Sequence, residues 1–295
     1  MEIRPAVPAD AAAVVALRAS VYPYLVRGEH ATRRMIASPP PGEDWAAFVA
    51  EAGAEVAGWV SAYRNPRSGL GQISLLHVHP GHRRRGIGAA LFAAAAGHLR
   101  GIGVTRVAGT TTVEALGFAR RYGFEPTREL RYSALDLATL GSPAPPVPDG
   151  IRLVPLRDVH EDALYQADVA AATDEPGDVP GEPTPYSTWR YEIWENDSLD
   201  RDASTAALAG SEIVSFSLLA RDGDRAWSDM TATVPAWRGR GLARAVKTEA
   251  LHRAAASGVR TAYTSNDESN APMLAVNVRL GYRPVARQLA CLAGM

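Results

Sequence analysis

Arg83-Arg84-Arg85-Gly86-Ile87-Gly88 and Arg238-Gly239-Arg240-Gly241-Leu242-Ala243 are two copies of one signature, one in each half of the chain. Each follows a strand-like run and opens an apolar helix. Small residues at the third and fifth places after the first arginine let the backbone come close to a ligand. The free N–H groups of the turn and of the helix N-terminus, Ala89 included, can then face an anion. The arginines add positive charge beside it. The pattern predicts a pyrophosphate cradle in each half.

A longer plan repeats around the signatures, as in an internal duplication. Glu2-Ile3-Arg4-Pro5-Ala6 parallels Ile151-Arg152-Leu153-Val154-Pro155, each a short strand running into a helix that holds Leu17 or Leu164. Ile3 to Arg83 is 80 positions and Ile151 to Arg238 is 87; Gly86 to the pair Gly123-Phe124 is 37, and Gly241 to Gly281-Tyr282 is 40. Between the copies, Gly141-Ser142-Pro143-Ala144-Pro145-Pro146-Val147-Pro148-Asp149-Gly150 is too rich in proline and glycine for a helix or inner strand. The sequence thus predicts domains at 1–140 and 151–295 joined by a linker at 141–150.

With 295 residues, each half is large enough to bury a core of its own. At 46% hydrophobic, 21% charged and a formal net charge of -1, the composition is that of an ordinary soluble protein and gives no case for nucleic-acid binding. One cysteine, Cys291, supports neither a disulfide framework nor a zinc site. No run of about 18 apolar residues suggests a membrane span, and Ala11–Leu17 follows Asp10 rather than a basic segment, so the expected compartment is the cytoplasm. Neither turn carries the GxxxxGK[ST] lysine and hydroxyl of a P-loop.

Alternation organises the strand before each signature. Met230, Ala232 and Val234 fall on one face, and Asp229, Thr231 and Thr233 on the other, expected to look into a cleft. In the first copy Ile73, Leu75 and His77 share one face, with Ser74, Leu76 and Val78 opposite. After the signatures, Leu91, Ala95 and Leu99, and Leu242, Val246 and Ala250, recur at i, i+4 and i+8 as a buried helical stripe does.

Both halves resemble Gcn5-related N-acetyltransferase (GNAT) domains, whose signature is Arg or Gln, two residues, Gly, one residue, then Gly or Ala. Gly123-Phe124-Glu125-Pro126 and Gly281-Tyr282-Arg283-Pro284 match the family's closing segment. The resemblance implies an α/β fold of two tandem domains, each a mixed, mostly antiparallel splayed sheet flanked by helices. It implies that the turns bind the pyrophosphate of coenzyme A, and that the backbone near Val78, Thr233 and Val234 holds the pantetheine arm. A tandem arrangement also occurs in mycothiol synthase-like members, but nothing in the residues specifies that substrate.

The implied reaction is attack of an amine on the acetyl-CoA thioester. Many family members protonate the leaving thiolate with a tyrosine five places before the closing aromatic; here that position is Ala119 or Asn277. The second half also supplies Asn266 and Asn270, neutral amides able to donate and accept, which the first half lacks. Asn270 and Asn277 are candidate pantetheine contacts, and Asn266 and Asn270 are equally candidate helix caps. An amine with a pKa near 10 is neutral in only about one part in a thousand at pH 7, so a base is useful. Asp229 is the candidate in the second half, with N–H groups near Thr233 and Val234 polarising the carbonyl. In the first half, His77, His79 or Glu114 could take the base role.

From Asp174 to Asp202 the chain holds nine acidic residues against Arg190 and Arg201, with Trp189, Tyr191 and Trp194 interleaved. As an acceptor wall this segment would suit a cationic amine; a solvated loop whose aromatics pack on the domain is the alternative. The reading is an acetyl-CoA-dependent N-acyltransferase of a small amine, with the second domain the catalyst. A non-catalytic acyl-CoA-binding or sensing protein is the alternative, as is a first domain that has lost its ligand.

Overall fold

A computed structural model describes residues 1–53, 55–141, 144–172, 178 and 182–295. The chain forms two compact units: Met1–Leu130 with Asp178–Tyr191 and Arg287–Met295, and Arg131–Gly177 with Glu192–Ala286.

The first unit contains β1 (Glu2–Pro5), α1 (Ala11–Val21), α2 (Glu29–Ala37), β2 (Ala46–Ala52), β3 (Glu55–Arg64), β4 (Gly71–Val78), α3 (Ile87–Gly101), β5 (Arg106–Thr111), α4 (Leu116–Arg120) and the start of β6 (Glu125–Asp136). The second contains the rest of β6, β7 (Ile151–Pro155), α5 (Glu161–Ala171), β8 (Thr205–Ala209), β9 (Glu212–Asp222), β10 (Arg225–Thr233), α7 (Leu242–Ala256), β11 (Thr261–Asp267), α8 (Ala271–Leu280) and the start of β12 (Arg283–Gly294). The short α6 (Tyr186–Trp189) belongs to the first unit.

The two units repeat one sheet plan. In the first, β1, β2, β3 and β4 run antiparallel in that order and β4 pairs in parallel with β5; in the second, β7, β8, β9 and β10 do the same and β10 is parallel to β11. The strand beside β5 is β12, antiparallel, with Leu289 opposite Thr111 and Gly294 opposite Arg106. The strand beside β11 is β6, and Leu137 donates its N–H to the Arg260 carbonyl at 2.8 Å. Each sheet is therefore completed by the closing strand of the other half. The segment 141–150 falls within the second unit, with Ser142 and Pro143 outside the described residues. A linear cut of the sequence does not reveal this exchange, because β6 and β12 satisfy the same alternation beside either partner.

Both predicted helix stripes are buried. Leu91, Ala95 and Leu99 of α3, and Leu242, Val246 and Ala250 of α7, are at most 1% exposed. They seat the helices on their sheets, each large side chain contributing roughly 1.5–3 kcal/mol.

The strand faces differ from simple alternation. Between Ser74 and His77, β4 bulges against β3, and Leu75 takes a φ of 55°. The extra residue reverses the pleat. Ile73, Leu76 and Val78 now pack in the α3 core, and Leu75 packs with Val14, Leu17 and Trp59. A bulge also lies between Ser228 and Thr231 of β10.

Candidate active site

In both units the parallel pair separates after three residues. β4 and β5 pair only from Gly71–Val107 to Ile73–Gly109, and β10 and β11 only from Arg225–Thr261 to Trp227–Tyr263. Beyond those points the strands splay, so their facing backbone groups line a cleft instead of a ladder.

The signature closes one end of each cleft. Gly86 and Gly241 cap α3 and α7 at φ 83° and 78°, a left-handed conformation that favours glycine. The first helical hydrogen bonds run from Ala90 to Gly86 and from Ala245 to Gly241, both 3.1 Å. Helix geometry leaves the preceding N–H groups without intrahelical partners. Positive φ recurs two residues earlier, on Arg84 at 62° and Gly239 at 76°. Alternation of this kind curls successive N–H groups into an anion-binding concavity. The Arg83 and Arg238 side chains donate through Nε to the carbonyls of Val78 and Thr233 at 3.3 and 3.0 Å, tying each turn to its strand. Arg84 and Arg85 are exposed, whereas Arg240 stacks on Trp237 at 4.6 Å. Ile87 and Leu242 point into the cores, leaving only their backbone to a ligand. Gly88 lies against Phe118, Ala89 is exposed and Ala243 half-buried.

In the second unit Asn277 Nδ2 donates to Asn266 Oδ1 at 2.6 Å, and the buried Asn277 Oδ1 has no partner among the described residues. These two amides, one on β11 and one on α8, meet in a pairing that the sequence reading did not name. Asn270 instead caps α8, accepting from the Met273 N–H at 3.2 Å. The Val234 N–H is committed to the Val214 carbonyl at 3.0 Å and is not free to polarise a thioester. Thr231 and Thr233 hydrogen-bond Ser217 and Ser215 on β9, both at 2.9 Å. Asp229 is exposed and accepts from the Trp227 indole at 3.2 Å.

In the first unit His77 is 1% exposed, and burial, helped by Arg18, pushes its pKa down to about 3. It is neutral at pH 7 and too weak a base for an ammonium ion. His79 accepts the Gly81 N–H in a short turn. Glu114 is exposed, held below the usual carboxylate range by its own N–H and the Thr112 hydroxyl. The Tyr22 ring packs at a tilt of 56° against His77, with centroids 4.6 Å apart, and lies 5.7 Å from Tyr24, whose hydroxyl accepts from Gln288 at 3.1 Å. The α1–α2 side of β4 carries a small recess lined by Arg18, Arg27, Thr32, Trp59, Ser61 and Leu75.

The proposed acidic wall of the second domain is divided. Asp174 and Glu175 lie outside the described residues, and Asp178–Tyr191 belongs to the first unit. There Trp189 is buried, Tyr191 stacks under Arg34 at 3.9 Å, and Asp178 pairs with Arg128 at 2.8 Å. Arg201 covers Trp194 at 3.9 Å in the second unit. These aromatics serve packing, as the alternative reading had it.

The sequence reading did not single out the Tyr22, Tyr24 and Gln288 cluster of the first unit, nor a buried polar group of the second. Lys247 of α7 is 1% exposed and sits over the Tyr282 ring at 5.1 Å. Ser228, whose carbonyl accepts from Thr264 at 3.0 Å, is buried in the same unit. A lysine at a stripe-adjacent helix position was the available signal.

The acetyltransferase (GNAT) family model matches residues 15–124 and 166–282, each match running through a splayed strand, a cradle and the closing aromatic. The chain belongs to this family. A mycothiol acetyltransferase from a Nocardioides species is 28% identical over 228 residues, 72% of this chain and 77% of that protein. Among solved structures, a tandem GNAT protein from the clavulanic acid biosynthesis pathway superposes with a TM-score of 0.76 at 22% identity, covering 99% of this chain and 98% of that one. A GNAT protein from Sphaerobacter thermophilus gives 0.72 at 22% identity, over 99% and 95%. The tandem GNAT fold and an acetyltransferase assignment follow. Among the described residues no helix is long and apolar enough to cross a membrane.

Proposed function

We propose that the protein is an N-acyltransferase that takes an acetyl group from acetyl-CoA to a small amine, with turnover in the second GNAT region and a second coenzyme A cradle in the first. The observation that carries this is the duplicated positive-φ turn, with bare helix N–H groups at the end of a splayed cleft. Residues 83–89 and 238–243 fit a pyrophosphate, and Asn277 Oδ1, which has no partner among the described residues, fits an amide N–H donor.

When bound, acetyl-CoA supplies an activated acyl carbon. The protein's own contribution is local. The cradle N–H groups and arginines fix the phosphates, so binding energy far from the reacting carbon orients it. The Asn266–Asn277 pair gives the cleft wall a fixed donor and acceptor. Asp229, exposed and anchored by Trp227, takes the amine proton directly or through water. Asn277 is a poor acid, so the second cleft offers the sulfur an amide, and water completes the protonation.

The test is calorimetric titration of acetyl-CoA into the wild type and into Ala89→Glu and Ala243→Glu variants, with free-thiol release measured against a panel of small amines. Glutamate in a first helical turn suits the helix and opposes phosphate, whereas substitution at Gly86 or Gly241 would strain the turn. Two sites, each lost in its own variant, and turnover lost only with Ala243→Glu, are expected. Binding without turnover on any amine would favour an acyl-CoA sensor, a reading suggested by the missing tyrosines; no binding would refute the proposal.

A further inference from the structure

On the α1–α2 side of β4 the first unit holds a recess that neither cradle uses. Arg18 of α1, Arg27 of the α1–α2 connection and Trp59 of β3 give it polar groups; Met35 of α2, Trp45 ahead of β2 and Leu75 of β4 give it an apolar wall. No Asp or Glu lines it, and its interior has room for about one water-sized group. Arg18 is 3% exposed and its guanidinium is held in place, Nη1 donating to the Arg27 carbonyl at 2.8 Å and Nη2 to the Thr32 hydroxyl at 3.4 Å. Trp59 is also 3% exposed, and its indole Nε1–H has no hydrogen-bond partner among the described residues. A buried N–H left unbonded carries the full cost of losing its water. Leu75 reaches this wall through the β4 bulge at a φ of 55°, a sparsely populated conformation for a leucine.

We propose that this recess is a binding site for a small organic monocarboxylate with an apolar body, whose carboxylate accepts the Trp59 N–H beside the Arg18 charge and whose body lies on Met35, Trp45 and Leu75. The site is independent of the acyl-CoA reading of the cradles. The chemistry of the lining selects the class. Guanidinium and indole groups only donate hydrogen bonds, so their complement accepts them and carries negative charge. The hydroxyls nearby are already committed as donors, Ser61 to the Ser74 carbonyl at 3.3 Å and Thr32 to the Gly28 carbonyl at 2.9 Å. Around a buried guanidinium the low dielectric strengthens attraction to an anion, and Arg27, exposed at the rim, draws one in. One edge of a planar carboxylate fits the space of a water molecule, whereas a tetrahedral phosphate needs more room. Without an acidic side chain in the lining nothing meets an ammonium, so a plain acid suits the recess better than an amino acid.

The test titrates isocaproate into the full-length protein, with isocaproamide and L-leucine as controls, by calorimetry and by nitrogen-edited NMR of the indole N–H signals, the Trp59 signal being the one absent from Trp59→Phe. Isocaproate should move that signal downfield and bind roughly tenfold or more tightly than its neutral amide, with L-leucine weaker than isocaproate. Trp59→Phe keeps an aromatic ring but no N–H and should weaken isocaproate by roughly tenfold. Should that variant fold poorly, Arg27→Gln, at an exposed position, should still weaken isocaproate about threefold and lessen the salt dependence of binding. Equal affinity for acid and amide, a Trp59 signal that stays in place while heat is released, or L-leucine binding as tightly as isocaproate would overturn the assignment. So would unchanged isocaproate affinity in the folded variants, or no binding at millimolar isocaproate, the result expected if a water molecule alone satisfies the indole.

Discussion

Lys247 provides the sharpest physical test of the second unit. Its ammonium is fully buried against the Tyr282 ring, and desolvation pushes its pKa from the ordinary 10.5 down to about 7. The unfolded chain therefore binds more protons than the fold between these values, so stability rises with pH from 7 to 10.5. At pH 5 both states are protonated and the full separation costs about 5 kcal/mol; at pH 7 the cost is about 4 kcal/mol, and at pH 10.5 it falls below about 1 kcal/mol. Tyr282 acts in the opposite sense above pH 10, because burial raises its pKa and the fold keeps a proton that the unfolded chain releases. Lys247→Met preserves side-chain length and removes the charge. Urea unfolding of wild type and variant from pH 5 to pH 10.5 should show the variant more stable by several kcal/mol at neutral pH, with the advantage shrinking as pH rises. An advantage independent of pH would refute the desolvation argument, since apolar packing alone carries no proton linkage.

Three further outcomes are expected. His77, with its pKa depressed to about 3, stabilises the first unit above pH 6.5 and loses that contribution as pH falls toward 3, so His77→Phe should flatten the acid limb of thermal stability across that window. Arg84 holds a φ of 62° that Gly239 occupies in the other cradle; Arg84→Gly should be neutral or up to about 1 kcal/mol stabilising in urea unfolding, whereas Gly239→Arg should cost about 1–2 kcal/mol. Asn270→Ala should cost about 1 kcal/mol through loss of the α8 cap while leaving calorimetric acetyl-CoA affinity intact, and a large loss of affinity would restore Asn270 to the ligand.

Several features were legible in neighbouring residues. Gly86 and Gly241 demand positive φ after a basic turn, and the i, i+4, i+8 stripes of α3 and α7 demand a sheet to cover them, so duplication, cradles and flanking helices follow from sequence. The two amides Asn266 and Asn277 were visible in one strand-to-helix segment, but their pairing was not. Local alternation could not show the bulge at Leu75, because an inserted residue is a compromise between β4 and β3 over the whole ladder, and it moved Ile73 to the opposite face from Leu75. Nor could it show that Thr231 and Thr233 meet hydroxyls on β9.

By itself, then, the sequence determined the repeated strand, turn and helix, since these depend on backbone conformation and periodicity within a few residues. Tertiary structure alone decided which half's closing strand completes each sheet, that Tyr24 meets Gln288 across 264 positions, and that Lys247 loses its water. Those outcomes depend on register and burial summed over distant segments, which no local pattern encodes.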